Sequence, residues 1–277
     1  MLTLQPKIHV FMLKSVKISE VISALERFAP LPLQESYDNA GLQVGLTEAD
    51  ISGALLCLDV TGQTVDEALR LGCNLIVSHH PLIFRPLKRV AGENYVQRTV
   101  AKAICHGICI VSMHTNMDNA FGGVNFKIAE KMGLHDVRFL TPVRTVDGID
   151  GASGVMGILP EPLAADDFVM LIKRIFCVES LQCNQLLRRP ISSVALCGGA
   201  GSFLLDDAVV AGADAFVTGE MHYHEYFGHE QQIQIAVMGH YQSEQFTNEI
   251  FKTIIEDRCP GVKTYLSQVN TNPIIYL

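Results

Sequence analysis

Five residues in this sequence combine suitable side chains with suitable spacing to hold divalent metal ions: His79, His80, Asp118, His240 and Glu244. His79 and His80 leave the apolar run NLIVS (74–78) and are followed by Pro81, which fixes the exit of the chain. Neighbouring residues leaving a strand point to opposite sides, so the two imidazoles could serve two different ions. His240 and Glu244 stand at i and i+4 at the start of a helical pattern and share one face about a turn apart. Such a Glu can bridge two ions through its two carboxylate oxygens. Asp118, in HTNMDNAFGG, lies just before a helix, where it could ligate or merely cap. Imidazoles and carboxylates without thiolates suit zinc, iron, manganese, cobalt or nickel. A pair of bridged ions would activate water and stabilise a leaving oxygen, which is the chemistry of metal-dependent hydrolysis.

Around these five lies an outer set. Glu220 and His222, with His224 beside them in TGEMHYHEY, are candidates for general acid or base. Read without a metal, His222 and His224 are exposed residues at a helix start. His114 is open to two roles, as a further ligand or as a group behind the ligands. His9, His106, His135 and His229 have no such context.

The elements that must position these groups alternate. A helix over 19–28 stops at Pro30, and a loop-like stretch follows at 35–45. Strand 54–59, helix 63–71, strand 74–78, helix 95–106 and strand 108–112 come next, then a polar loop over 113–123 and a helix over 124–132. Residues 141–153 form the one plausible linker. Beyond it run strand 155–159, helix 164–176, strand 192–197, helix 203–211, strand 214–218, helix 222–229, strand 233–238 and helix 241–256. The alternation predicts an α/β fold with largely parallel sheets. In such sheets ligands gather at the carboxyl ends of strands, where every candidate above falls.

The chain also repeats itself. A shift of 140 residues lays DEALRLGCNLIVSHH (66–80) on DDAVVAGADAFVTGE (206–220), and a shift of 126 lays VSMHTNMD (111–118) on VMGHYQSE (237–244). Each half therefore ends in His-x-x-x-acid. The expected organisation is a first α/β repeat over 1–140, carrying an extension at 1–13, and a second over 141–277. The metal site then falls between them, with His79, His80 and Asp118 from one and His240 and Glu244 from the other.

Composition narrows the partners. Over 277 residues the hydrophobic fraction is 48% and the net charge −8, so a large core is available and no basic field exists for nucleic acid or anionic membrane. A small phosphorylated ligand remains open, since a metal can supply positive charge locally. The eight cysteines form no CxxC pair and most sit in apolar runs, as expected for core residues in a reducing, cytoplasmic setting. No apolar run reaches the roughly 18 residues of a membrane span. The opening MLTLQPKIHVF lacks the apolar core and cleavage site of a secretory signal.

At these residues the sequence resembles the YbgI-like, Ngg-interacting-factor-like family, also called GTP cyclohydrolase I type 2 homologues. The likeness rests on five segments in order: ESYDNAGLQVG (35–45), IVSHHPLIF (76–84), HTNMDNAFGGVN (114–125), TGEMHYHE (218–225) and GHYQSEQ (239–245). The resemblance implies two similar, intertwined α/β repeats, a homohexameric ring, and a dinuclear site whose ligands map onto the same five residues. Longer relatives carry a domain inserted mid-chain; the stretch between 132 and 155 leaves no room for one. The expected function is a metal-dependent hydrolase of a small, nucleotide-like substrate. The alternative is a non-catalytic protein that binds metal for storage, delivery or regulation. A role on GTP itself rests on analogy, because there is no P-loop and no evident guanine-reading set beyond Asp38 and Asn39.

Overall fold

The computed structural model describes residues 15–275, so the extension at 1–13 lies outside the described residues. In chain order the first elements are α1 (Ile18–Phe28), β1 (Gly41–Val44), β2 (Ala54–Cys57), α2 (Gly62–Leu71), β3 (Leu75–Ser78), α3 (Tyr95–Cys105) and β4 (Cys109–Ser112). Next come α4 (Thr115–Asn119), α5 (Val124–Lys131), β5 (His135–Phe139), a hairpin of β6 (Arg144–Val146) and β7 (Ile149–Gly151), and β8 (Val155–Leu163). The remainder is α6 (Ala165–Phe176), β9 (Gln182–Cys183), β10 (Ile191–Cys197), α7 (Leu205–Val210), β11 (Ala215–Thr218), β12 (Gln234–Val237), α8 (His240–Glu244), α9 (Thr247–Arg258) and β13 (Thr264–Leu266).

The strands form two mixed sheets, ordered β1-β4-β3-β2-β13 and β5-β8-β10-β11-β12-β9. At the centre of each, three consecutive strands run parallel. Every residue of β2, β3, β4, β11 and β12 is buried, as expected for parallel strands covered on both faces. The ladders respect the sequence repeat: Ala54 pairs with Leu75 and Cys57 with Ser78, while Val194 pairs with Ala215 and Cys197 with Thr218, the same pairs displaced by 140 residues. The sheets also trade end strands. β5 lies in the second sheet beside β8, and β13, from the far end of the chain, lies in the first beside β2.

Alternate residues of each strand face different cores. Leu55, Ile76 and Ile110 pack outward under α2 and α3. Leu56, Val77 and Val111 point inward and join Leu196, Val217 and Ala236 of the second sheet in one shared core. Helices α1, α5, α6 and α9 contribute Leu25, Ile128, Phe168 and Phe251 to it. Local signals close the helices: Thr61 caps α2 by accepting from the Thr64 amide, Gly72 ends it at φ 71°, and Asn94 caps α3.

Four expectations change. The helix expected over 222–229 is a single 3-10 turn at Tyr223–Tyr226, ended by Gly228 at φ 85°. The helix expected over 241–256 is broken: Gln245 turns its amide onto the Phe176 and Gln242 carbonyls, and Phe246 packs on the Phe176 ring at 5.8 Å. The loop expected over 113–123 contains α4, and the linker at 141–153 is a hairpin turning on Asp147 and Gly148, both at positive φ. Among the described residues no helix is long and apolar enough to cross a membrane.

Phe251 is wholly buried where α9 meets both sheets. Phe251→Ala is expected to cost about 3–5 kcal/mol, read as a lower urea midpoint by circular dichroism; a loss under about 1 kcal/mol would contradict a shared core.

Candidate metal centre

The carboxyl ends of the central strands of both sheets meet around one buried carboxylate. β3 gives out at Ser78, but the next two amides stay on the ladder, His79 N–H donating to the Cys57 carbonyl and His80 N–H to that of Leu58. Two adjacent imidazoles are thereby fixed at a strand end, with ring centroids 4.9 Å apart.

His79 is wholly buried. Its Nδ1 lies 2.9 Å from the Met113 carbonyl oxygen, an acceptor, so Nδ1 carries the proton and Nε2 is left with a lone pair. That Nε2 faces Asp118 Oδ1 at 3.5 Å and Glu244 Oε1 at 3.6 Å. Neither His79 Nε2 nor Asp118 Oδ1 has a hydrogen-bond partner, although both atoms are buried. Burial holds His79 below its ordinary pKa against the pull of Glu244. Electron-pair donors converging without a hydrogen between them fit a cation.

The other oxygen of Glu244 faces a second group. Oε2 lies 3.0 Å from His80 Nε2 and 3.1 Å from His240 Nε2, and the two nitrogens are 3.3 Å apart. Each ring is held from behind by a carboxylate: Asp59 Oδ1 is 2.7 Å from His80 Nδ1, and Glu220 Oε1 is 3.0 Å from His240 Nδ1. Two sets, His79–Asp118–Glu244 and His80–His240–Glu244, each bring their potential ligand atoms within 4.8 Å of one another. His114 forms a third such set with His79 and His80.

The backbone around Glu244 is built to admit it. Gly199, at φ 58°, follows β10, and a Cβ there would meet Glu244 Oε1 and come within 3.3 Å of His240 Nε2. Its amide donates to Ser243 Oγ, which in turn donates to the His240 carbonyl. Asn125 joins the two halves, donating to the Asp118 carbonyl and accepting from the Gly198 amide.

Metal-free, the cluster is a coupled set of protons. Burial opposes charge on His80, but Asp59 and Glu244 outweigh it and carry its pKa up to about 10. His240 rises to about 9 in the same way, burial being overcome by Glu244 and, more weakly, Glu220. Glu244 is buried too, yet the surrounding histidines hold it well below the carboxylate range. Burial and the Glu244 charge push Asp118 well above it.

A cavity of about 410 Å³ opens on this cluster, with Tyr37, Phe84 and Phe203 among its walls and no lysine or arginine lining it. His114 also lines it, its Nδ1 2.7 Å from Asp38 Oδ1. Burial would raise Asp38, but bonds from His114 and Thr115 bring it down to about 2. Cys197 is buried beside the cluster, and burial together with Asp118 and Glu244 pushes its thiol far up.

The five residues expected to bind metal are thus brought together. Glu220 touches His240, while His222 and His224 are exposed; Glu220 and His222 line a second cavity of about 460 Å³ across His240. Asn39 turns away to the Ile83 carbonyl. Sequence reasoning passed over Asp59 and Glu35. Asp59 closes the run ALLCLD at a strand's carboxyl end, a visible signal. Glu35 opens the quoted segment ESYDNAGLQVG, but its Oε1 accepts from Asn119 and Ser153, residues far along the chain.

The family model for Duf34/NIF3 (NGG1p interacting factor 3) matches residues 16–273. A GTP cyclohydrolase 1 type 2 homolog of Lactococcus lactis is 32% identical over 265 residues, covering 93% of this chain and 98% of that one. NIF3-like protein 1 of Drosophila melanogaster is 29% identical over 263 residues, covering 94% and 89%. Among solved structures, a Bacillus cereus protein related to NIF3 has a TM-score of 0.85 at 24% identity, covering 96% of this chain and all of its own, a likeness of fold.

Because His80 and His240 are charged near neutral pH without metal, a cation must displace their protons. Titrating zinc into chelator-stripped protein at pH 7 is expected to release protons, read by calorimetry in buffers of different ionisation enthalpy. Heat independent of buffer would contradict it. Both pKa values exceed 6.5, so these groups stabilise the metal-free fold below pH 6.5 and lose that effect as pH rises through about 9 and 10. The melting temperature of stripped protein should fall across that window.

Proposed function

Because the chain belongs to the Duf34/NIF3 family, we propose that it binds two divalent ions between two related, intertwined halves and acts there as a hydrolase of a small substrate. One observation carries this: Glu244 turns Oε1 toward His79 and Asp118 and Oε2 toward His80 and His240. A carboxylate divided in this way between two buried donor sets has the disposition of a bridging ligand. The donor set suits zinc, iron, manganese, cobalt or nickel.

When bound, such ions supply Lewis acidity that polarises a substrate oxygen and makes water more acidic. The chain's own residues do the rest. The Met113 carbonyl, Asp59 and Glu220 occupy the Nδ1 sides of His79, His80 and His240, so all three Nε2 atoms turn inward. His114 faces the cavity with Nδ1 on Asp38, which leaves Nε2 as the atom to take or return a proton. Tyr37, Phe84 and Phe203 offer flat apolar surface to a ring. Glu35 Oε2 accepts from no described residue and can receive a ring N–H. With no lysine or arginine on the wall, the cavity suits a cyclic amide or base better than a polyphosphate chain. The space beside the ligands favours catalysis over storage, which needs no room for a second molecule. Glu220 and His222, across His240, would act on the centre through that ring or from the second cavity. The proposal extends to a cytoplasmic setting, supported by eight free cysteines, and to a homohexamer.

Stripped protein reloaded with zinc, manganese or cobalt should hydrolyse a member of a panel of cyclic amides, nucleobases, nucleotides and esters. Glu244→Gln is expected to lose at least one bound ion by elemental analysis and to abolish turnover. Undiminished turnover by stripped protein would sink the hydrolase, and metal content unchanged in Glu244→Gln would sink the bridge. For the assembly, light scattering that returned the mass of a single 30.4 kDa chain would remove the hexamer.

A further inference from the structure

The last described segment of the chain runs along the back of the metal centre. β13 pairs in parallel with β2, Tyr265 beside Leu55 and Leu266 beside Leu56, and the Ser267 amide continues the ladder onto the Leu56 carbonyl. Glu67 of α2, only 3% exposed, then grips the segment at two points: Oε2 accepts from Ser267 Oγ and Oε1 from the Gln268 amide. A carboxylate that deeply buried is tolerated because both oxygens are bonded. It steers the chain across the carboxyl end of β2, where Asp59 follows.

There Thr271 Oγ donates to Asp59 Oδ2, while Asp59 Oδ1 is 2.7 Å from His80 Nδ1. The two oxygens of Asp59 are thus divided between a hydroxyl on the tail and an imidazole of the centre. Three residues on, Ile274 lines the second cavity together with Glu220 and His240. The tail therefore touches the carboxylate behind His80 and shares a cavity with the carboxylate behind His240. Both rings belong to one ligand set. The other set is supported elsewhere, His79 by the Met113 carbonyl and Asp118 by Asn125, with no tail residue in either contact.

We propose that residues 267–275 form a strap belonging to the His80–His240–Glu244 set, with Thr271 as the positioning residue that fixes Asp59 against His80. This rests on the dinuclear reading above and deepens it, because it makes the two ions unequal in their dependence on the tail. Asp59 is about one-third exposed, so without the hydroxyl its carboxylate turns toward water and the imidazole loses a fixed orientation.

The test is cobalt-loaded full-length protein, titrated with a chelator and followed by cobalt absorption and by metal content. Wild type should release its ions in two steps. Thr271→Val, which keeps the shape and removes the donor, should loosen one step by about 10- to 100-fold and alter one band set, leaving the other step unchanged. Thr271→Ser should restore the wild-type step, which packing alone would not do. A chain ending at Val269, which keeps the Glu67 grip, should behave as Thr271→Val. Wild-type release from Thr271→Val, or equal loosening of both steps, overturns the strap while leaving the dinuclear centre standing. Failure of wild type to take up cobalt overturns the dinuclear reading, and the strap with it.

Discussion

Everything near the site answers to the burial of one carboxylate. Taking an ionised Glu out of water costs on the order of several kcal/mol unless opposite charge and hydrogen bonds replace the solvent. Glu244 is 3% exposed, and its surroundings are arranged around that cost. Gly199 gives up its side chain so that Oε1 fits, Ser243 ties the glycine loop to the start of α8, and three imidazoles crowd the two oxygens. The break between α8 and α9 belongs to the same arrangement. A one-turn helix presents His240 and Glu244 on one face, and the turn at Gln245 and Phe246 lets α9 leave toward the shared core.

The sheets do the aiming. Parallel strands end together, so side chains that follow them collect at one edge, and two sheets that share a core bring two such edges into register. The halves divide the work unequally. The first places histidines directly after β3 and an acid on α4; the second offers glycines after β10 and both donors from α8. Asp59 and Gly199, which correspond under the 140-residue shift, act differently: one braces His80 and the other clears space for Glu244.

Much of this was legible in the sequence. Parallel strands announce themselves as unbroken apolar runs, and the offset of 140 found by sliding the chain on itself is the offset of the ladders. The histidines stood out because they follow such runs, and Asp118 and Glu244 because each stands four residues after one of them. Residues that act through another residue left weaker traces. Glu35 is recognisable only once Asn119 and Ser153 are beside it, and the bond from Thr271 to Asp59 spans most of the chain. The stretch 222–229 has helical spacing, but Glu225 bonds back to the His222 amide and Gly228 ends the turn. The Asp147–Gly148 pair within the expected linker does carry a hairpin signal.

The exchange of β5 and β13 has a consequence for how such a protein comes into being. The first sheet lacks its last strand until residues 264–266 exist, so a nascent chain holding only the first half presents β2 as a bare edge. Closing that edge pairs residues some two hundred positions apart, and contacts so distant in sequence form slowly. Cut at residue 140, the chain would leave each sheet without a strand that the other piece holds.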